Sequence, residues 1–271
     1  MKRWYIFTGA LRYEFRMQIH RLALWATFLG FAALVFAIAG QGNWTHWSGE
    51  KNAFDSFASW TVIVNLFIPP ALGILLADRL SRDRRLRIDE LLNTTSGSVG
   101  ARLLGKYSGS LLATLVPMLI IYGIGISYIS YHWQAIQGWG TLLRLLPGAF
   151  ALFLAVIVPG AAFVAAFSLA VPLFLWLPLY QFLFVCYWFW GNAFDPGRGL
   201  PTLSDTILTP LGGYMLAGFF GEDSGLVVHH ATVLQGAESL LLLLALAACV
   251  ITITWRYLLR QQVRSEEPAL F

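Results

Sequence analysis

The chain has 271 residues, 58% hydrophobic and only 12% charged, with a formal net charge of +4 and a mean hydropathy of +0.66. A soluble domain carries roughly 25% charged residues, so 14 acids and 18 bases cannot cover a folded surface of this size. The eleven Trp, ten Tyr and twenty Phe suit membrane–water boundaries, and the bases flank apolar runs rather than forming a nucleic-acid face. The composition is that of an all-α polytopic membrane protein in contact with the lipid bilayer, with no nucleic acid partner.

Residues 1–21 open the chain with Phe7, Leu11, Phe15 and Ile19 at a helical repeat, Trp4 and Leu22 on a neighbouring arc, and Arg12, Glu14 and Arg16 on other faces. That pattern predicts an interfacial helix with its apolar side in the acyl boundary. Residues 22–39 follow as the first charge-free span. Ala37-Ile38-Ala39 resembles a signal-peptidase site, but the basic region before it, at about twenty residues, is too long and too amphipathic for a signal peptide. The second span is read at 56–77, between Asp55 and Asp78, and contains Asn65 one turn before Pro69-Pro70.

Residues 78–106 carry eleven charges: seven bases (Arg79, Arg82, Arg84, Arg85, Arg87, Arg102, Lys106) and four acids (Asp78, Asp83, Asp89, Glu90). Arg85 and Asp89 are spaced as an i,i+4 pair, a polar turn follows, and Ser98 is placed to cap the next helix. The segment reads equally as a docking helix for a soluble partner and as a solvated loop. Gly100 to Lys106 matches the phosphate-binding P-loop spacing, but Tyr107 replaces the required hydroxyl and no strand precedes it; it is a chance match.

The third span is read at 108–131. Residues 145–194 contain no charge, enough for two spans, 145–165 and 169–190, the latter with Gln181. Residues 191–238 hold five acids and one base around a Gly-rich apolar middle, 206–220, too short to cross; this predicts a re-entrant external segment. The last span is 239–256. With six spans, fifteen of the eighteen bases fall on the side of both termini, which the positive-inside rule makes cytoplasmic. The whole chain, 1–271, is one transmembrane domain.

No Asp, Glu, Lys, Arg or His lies inside these span cores, and ion-coupled transport, intramembrane proteolysis and haem ligation all need such groups at depth. Asn65 and Gln181 are the candidate pathway-lining polar residues. Cys186 and Cys249 lie in apolar runs without metal-ligand spacing, and His229-His230 near Glu222 and Asp223 form the only acid–histidine group. No catalytic, cofactor-binding or metal site is expected.

Leu11-Arg-Tyr-Glu-Phe-Arg16 resembles the elbow helix of type 2 ABC-transporter permeases. The stretch Leu76-Ala-Asp-Arg79, Arg82-Asp83, Asp89-Glu90-Leu91-Leu92-Asn-Thr-Thr95 and Leu104-Gly-Lys-Tyr107 is similar to that family's first cytoplasmic loop. The resemblance covers about the first 130 residues. It implies a plasma-membrane permease that dimerises with itself or a sister chain and exports its cargo. Separate ABC ATPase subunits would carry ATP and Mg²⁺ and dock against Arg82, Asp83, Arg84, Arg85, Asp89, Glu90 and Leu91. Two other classes stay open: a membrane anchor or regulatory subunit, and a lipid-modifying enzyme using the external acid–histidine group.

Overall fold

The computed structural model describes residues 2–41, 52–85, 98–193, 202–204, 206–221 and 230–266. Among these residues every regular element is helical: α1 (Lys2–Ile19), α2 (Leu22–Gln41), α3 (Ala53–Phe67), α4 (Pro69–Arg85), α5 (Val99–Leu152), α6 (Val158–Ala170), α7 (Leu177–Ala193), α8 (Gly213–Phe220) and α9 (Val233–Glu266). A π-helical turn at Phe153–Ile157 joins α5 to α6, and a 3₁₀ turn at Val171–Leu173 ends α6.

Three helical runs are long and apolar enough to cross a membrane: Ala53–Leu80, Val99–Leu173 and Val233–Val263. A fourth is Trp4–Ile19 with Leu22–Ala37, if this pair, bent by 60°, counts as one. These runs give the molecule its membrane-protein character.

The starts and breaks of these helices follow from local chemistry. Asn52 caps α3 by accepting from the backbone of Phe54 and Asp55 at 2.8 and 3.1 Å, and Asp55 adds a carboxylate to the positive first turn. Pro69 and Pro70 bring no N–H, so the helix breaks at Ile68 and resumes as α4. Ser98 caps α5 as its spacing predicts, accepting from Ala101 at 3.3 Å.

The long element α5 is a hairpin. A straight helix would hold residues 122 and 149 about 40 Å apart, yet the Tyr122 hydroxyl donates to Ala149 O at 2.8 Å. Further along, the Tyr107 hydroxyl donates to Ala162 O at 2.9 Å. Both pairs centre within one turn of Gly138, whose φ of +72° is left-handed and open to glycine without strain. The chain therefore doubles back there, which separates the regions read as the third and fourth spans.

Other pairs set the remaining directions. The Trp60 indole donates to Tyr122 O at 3.1 Å and Trp133 to Ser56 Oγ at 3.0 Å, so α3 runs antiparallel to the first leg of α5. Trp188 donates to Leu66 O at 2.7 Å and Gln181 to Ile74 O at 3.2 Å, so α7 runs antiparallel to α3–α4. Helix α9 starts beside α8, where Ser239 donates to Ile207 O at 2.8 Å, and reaches Phe174 at Tyr257, ring centroids 4.7 Å apart. The described legs thus alternate in direction. Leu80, Leu103, Leu169 and Ile251 meet at one end, called proximal here because α1 and the end of α9 lie there; Phe54 and Phe220 meet at the distal end.

Helix α1 joins the bundle through a close helix pair. It packs lengthwise on the first leg of α5, parallel to it, through the Gly105-x-x-x-Gly109 pair. A Cβ at Gly105 would lie 2.6 Å from Ala10 Cβ and 2.8 Å from Phe7 O; at Gly109 it would lie 2.6 Å from Leu11 O and 2.9 Å from Glu14 Cβ. Small residues that let two backbones approach are a common device of membrane helix pairs. Glu14 therefore faces the bundle with Phe7, Leu11 and Phe15, not an outer face as its sequence position suggested; Arg12, Tyr13, Arg16 and Met17 are exposed.

Replacing Gly109 by Leu is expected to lower stability by about 1–3 kcal/mol, the usual overpacking range. Gly123→Leu, at a glycine with nothing within 4 Å, should leave it unchanged or slightly raised, since both substitutions gain the same helix propensity. Thermal unfolding in detergent checks the pair; equal effects would mean that α1 does not pack on α5.

Candidate functional site

Two polar constellations stand out inside the apolar bundle. The first ties α1, α4 and α5 together at the proximal end. Glu14 and Gln18, one turn apart on α1, are 4% and 2% exposed, and Arg79 on α4 is 5% exposed. One carboxylate oxygen, Glu14 Oε1, accepts from Gln18 Nε2 and from Ser110 Oγ, both at 3.1 Å, and lies 3.5 Å from Arg79 Nη1. Gln18 Nε2 is also 3.5 Å from Ser110 Oγ. Lys106, one turn before Ser110 and half-buried, acts on Glu14 electrostatically.

A buried carboxylate is tolerable only when paired and hydrogen-bonded, and every group doing so comes from the α1–α4–α5 junction. The spans read as 56–77 and 108–131 stop just short of Arg79 and Lys106. The helices do not stop there, because α-helical hydrogen bonding continues through a charged residue as readily as an apolar one. Charge-free cores thus coexist with a buried ion pair at their edge. The Glu14–Gln18 pair at i,i+4 opposite the Gly105–Gly109 stripe was the available signal.

Of the loop residues expected to face an ATPase, the described ones follow Arg79 on α4. Arg82 is exposed on the last turns of α4. Asp83, Arg84 and Arg85 continue that helix, with side chains outside the described set, and Asp89, Glu90 and Leu91 lie outside the described residues. The P-loop-like stretch is the start of α5, where the Ser98 side chain accepts from Ala101 N and no strand precedes the helix among the described residues. Of the acid–histidine group, His230 is exposed and Glu222, Asp223 and His229 lie outside the described residues. Among the described residues no three His, Cys, Asp or Glu converge as metal ligands.

The second constellation ties the segment 206–220, at Thr209 to Leu211, to the middle of the bundle. Turns at Thr206, Thr209 and Gly212 lead into α8, which is bounded by left-handed glycines, Gly212 at φ +78° and Gly221 at φ +68°. Leu211, Met215 and Leu216 are buried. Asn65, fully buried, donates its amide to Pro210 O at 2.9 Å and to Leu211 O at 3.0 Å. Gly160 lets that carbonyl approach, since a Cβ there would lie 2.6 Å from Pro210 O. Thr209 donates to Asn192 Oδ1 at 3.5 Å. Non-helical backbone at depth must be satisfied by protein, and Asn65 does this for two successive carbonyls.

Asn65 and Gln181 were singled out together, and the fold keeps them apart. Asn65 faces the 206–220 segment. Gln181 pairs with Ile74 O, nine residues on and so about two and a half helical turns, roughly 14 Å, nearer the proximal end. Comparison with known proteins finds no matching family model, no matching characterised sequence and no matching solved structure.

Asn65→Leu would leave two buried carbonyls without donors, at about 1–3 kcal/mol each. Faster backbone hydrogen exchange confined to 206–220 is the expected result; unchanged exchange there would show that other contacts hold the segment.

Proposed function

We propose that the chain is the membrane-spanning permease subunit of an ATP-driven exporter of the type 2 ABC class. In this reading six legs cross the plasma membrane with both termini in the cytoplasm. The permease forms a dimer, with itself or a sister permease. The chain contributes no ATPase chemistry; ATP and Mg²⁺ belong to separate subunits that bind the 78–106 region, with Arg82, Asp83, Arg84, Arg85, Asp89, Glu90 and Leu91 at the contact.

The observation that carries the reading is mechanical. Helix α4 extends past the apolar bundle to Arg85, and at Arg79 it is tied to Glu14 of α1, which in turn accepts from Ser110 of α5. A displacement imposed on the segment after Arg82 is thereby delivered to three helices together rather than lost in a mobile loop. Helix α4 also continues α3 across the break at Ile68, and α3 carries Asn65, so the same strut ends at the segment tied to the middle of the bundle. The sequence resemblance at residues 11–16 and 76–107 supports the same assignment from a different direction. Cargo is an amphipathic or apolar molecule, in keeping with the uncharged bundle middle.

The test is purification of the tagged chain from its native cells in mild detergent. Recovery with a stoichiometric P-loop ATPase whose hydrolysis responds to the permease supports the proposal. Recovery without an ATPase, under conditions that keep a known transporter complex together, turns the assignment to a membrane anchor. In the complex, reversing Asp89 and Glu90 to Lys is expected to leave hydrolysis running while transport falls by an order of magnitude or more, equivalent to about 1.4 kcal/mol or more of lost coupling. Wild-type coupling in that variant would leave the segment as a solvated loop.

A further inference from the structure

Arg79 is more deeply buried than its single ion pair explains. Only Nη1 approaches Glu14, at 3.5 Å, and among the described residues Nε and Nη2 have no hydrogen-bond partner although both are buried. These two nitrogens share the other edge of the guanidinium plane. Their N–H bonds point side by side, the fork that receives two oxygens of a phosphate or carboxylate. A buried charged donor left unmatched is costly, so a fork with both donors open is a position that an oxyanion would fill.

The surroundings favour an anion. Arg79 interacts with Arg21 and Arg82 as well as with Asp78 and Glu14, and Lys106 interacts with Arg79 and Glu14. Four cations thus stand against two carboxylates among the described side chains. Arg82 is exposed and Arg21 and Lys106 are half-buried, which makes the approach to Arg79 basic.

Depth narrows the choice. Arg79 is one residue from the end of the apolar run Ala53–Leu80, the level at which a bilayer presents its phosphate groups. Basic notches between helices at that level suit anionic headgroups.

We propose that the junction of α1, α4 and α5, at the unpartnered Nε/Nη2 edge of Arg79, is a binding site for the phosphate group of an anionic phospholipid. Lys106, Arg21 and Arg82 guide the headgroup in, and Glu14 holds Arg79 by its other edge so that the fork stays turned toward the ligand. The site stands apart from the transporter assignment: it requires the membrane boundary, not an ATPase.

The experiment uses the delipidated full chain in detergent. Its thermal midpoint is followed on titration with phosphatidylglycerol, with phosphatidylcholine and with inorganic phosphate at matched ionic strength. Phosphatidylglycerol is expected to raise the midpoint and phosphatidylcholine to leave it unchanged. Arg79→Lys, which keeps the charge and loses the fork, is expected to weaken the phosphatidylglycerol response about tenfold, whereas Arg144→Gln, at the distal end, keeps it. Stabilisation by inorganic phosphate at concentrations as low as those of the lipid would assign the fork to a soluble anion and overturn the lipid assignment. Equal phosphatidylglycerol responses in wild type and Arg79→Lys would overturn the site altogether. Should Arg79→Lys fail to fold, the charge-neutral double variant Glu14→Gln/Arg79→Gln serves instead. By native mass spectrometry it must lose the phosphatidylglycerol that wild type retains; equal retention overturns the proposal.

Discussion

A carboxylate withdrawn from water among helices needs compensating charge and hydrogen bonds from whatever surrounds it, and in this chain Glu14 draws them from three directions. Gln18 supplies one from its own helix, Ser110 a second from α5, and Arg79 the opposing charge from α4. Removing one partner of such a buried pair typically costs about 3–5 kcal/mol, because the other charge stays behind uncompensated. The position of α1 is therefore specified, and with it the angle at which α2 leaves: the 60° bend comes at His20-Arg21, directly after Gln18 completes the cluster. The close approach at Gly105 and Gly109 makes this possible, since any side chain there would lift α1 away and take Glu14 out of reach of both partners.

The same junction explains which parts of the architecture the sequence exposes and which it hides. Charge-free intervals mark where the long apolar helical runs lie because lipid tolerates few ionised side chains, and Gly-broken apolarity marks 206–220 as too short to cross. Ser98 is readable as a cap because an N-cap is a local device, complete within four residues. The reversal at Gly138 is less visible: a polar tail after Tyr131 hints at it, but the decisive contacts, Tyr122 with Ala149 and Tyr107 with Ala162, join residues 27 and 55 positions apart.

Glu14 was misleading for a related reason. Polar residues on a basic, amphipathic helix look solvent-facing until a partner helix with two glycines at matching spacing is brought alongside. For Asn65 the sequence located a polar residue beside a proline break but not its task, because its acceptors lie 145 and 146 residues away. A polar residue in an apolar span announces that something must be satisfied; only the fold says whether that something is a ligand or the protein's own backbone.

Three of the irregular features gather at one level, and this gives the two constellations different mechanical characters. The break at Ile68, the π turn at Phe153–Ile157 and the left-handed Gly212 adjoin one another through Asn65, Gly160 and Val156, the last lying 2.5 Å from where a Cβ on Gly212 would be. Helices bend most readily where their i→i−4 ladder is already interrupted, so compliance is concentrated in the middle of the bundle. The proximal end has the opposite construction: α1, α4 and α5 are continuous through the junction and cross-linked by an ion pair and hydrogen bonds. A force applied beyond Arg82 meets a stiff block first and yielding backbone second. The segment placed at that level is the one carried by Asn65, which donates from α3 to two of its successive carbonyls.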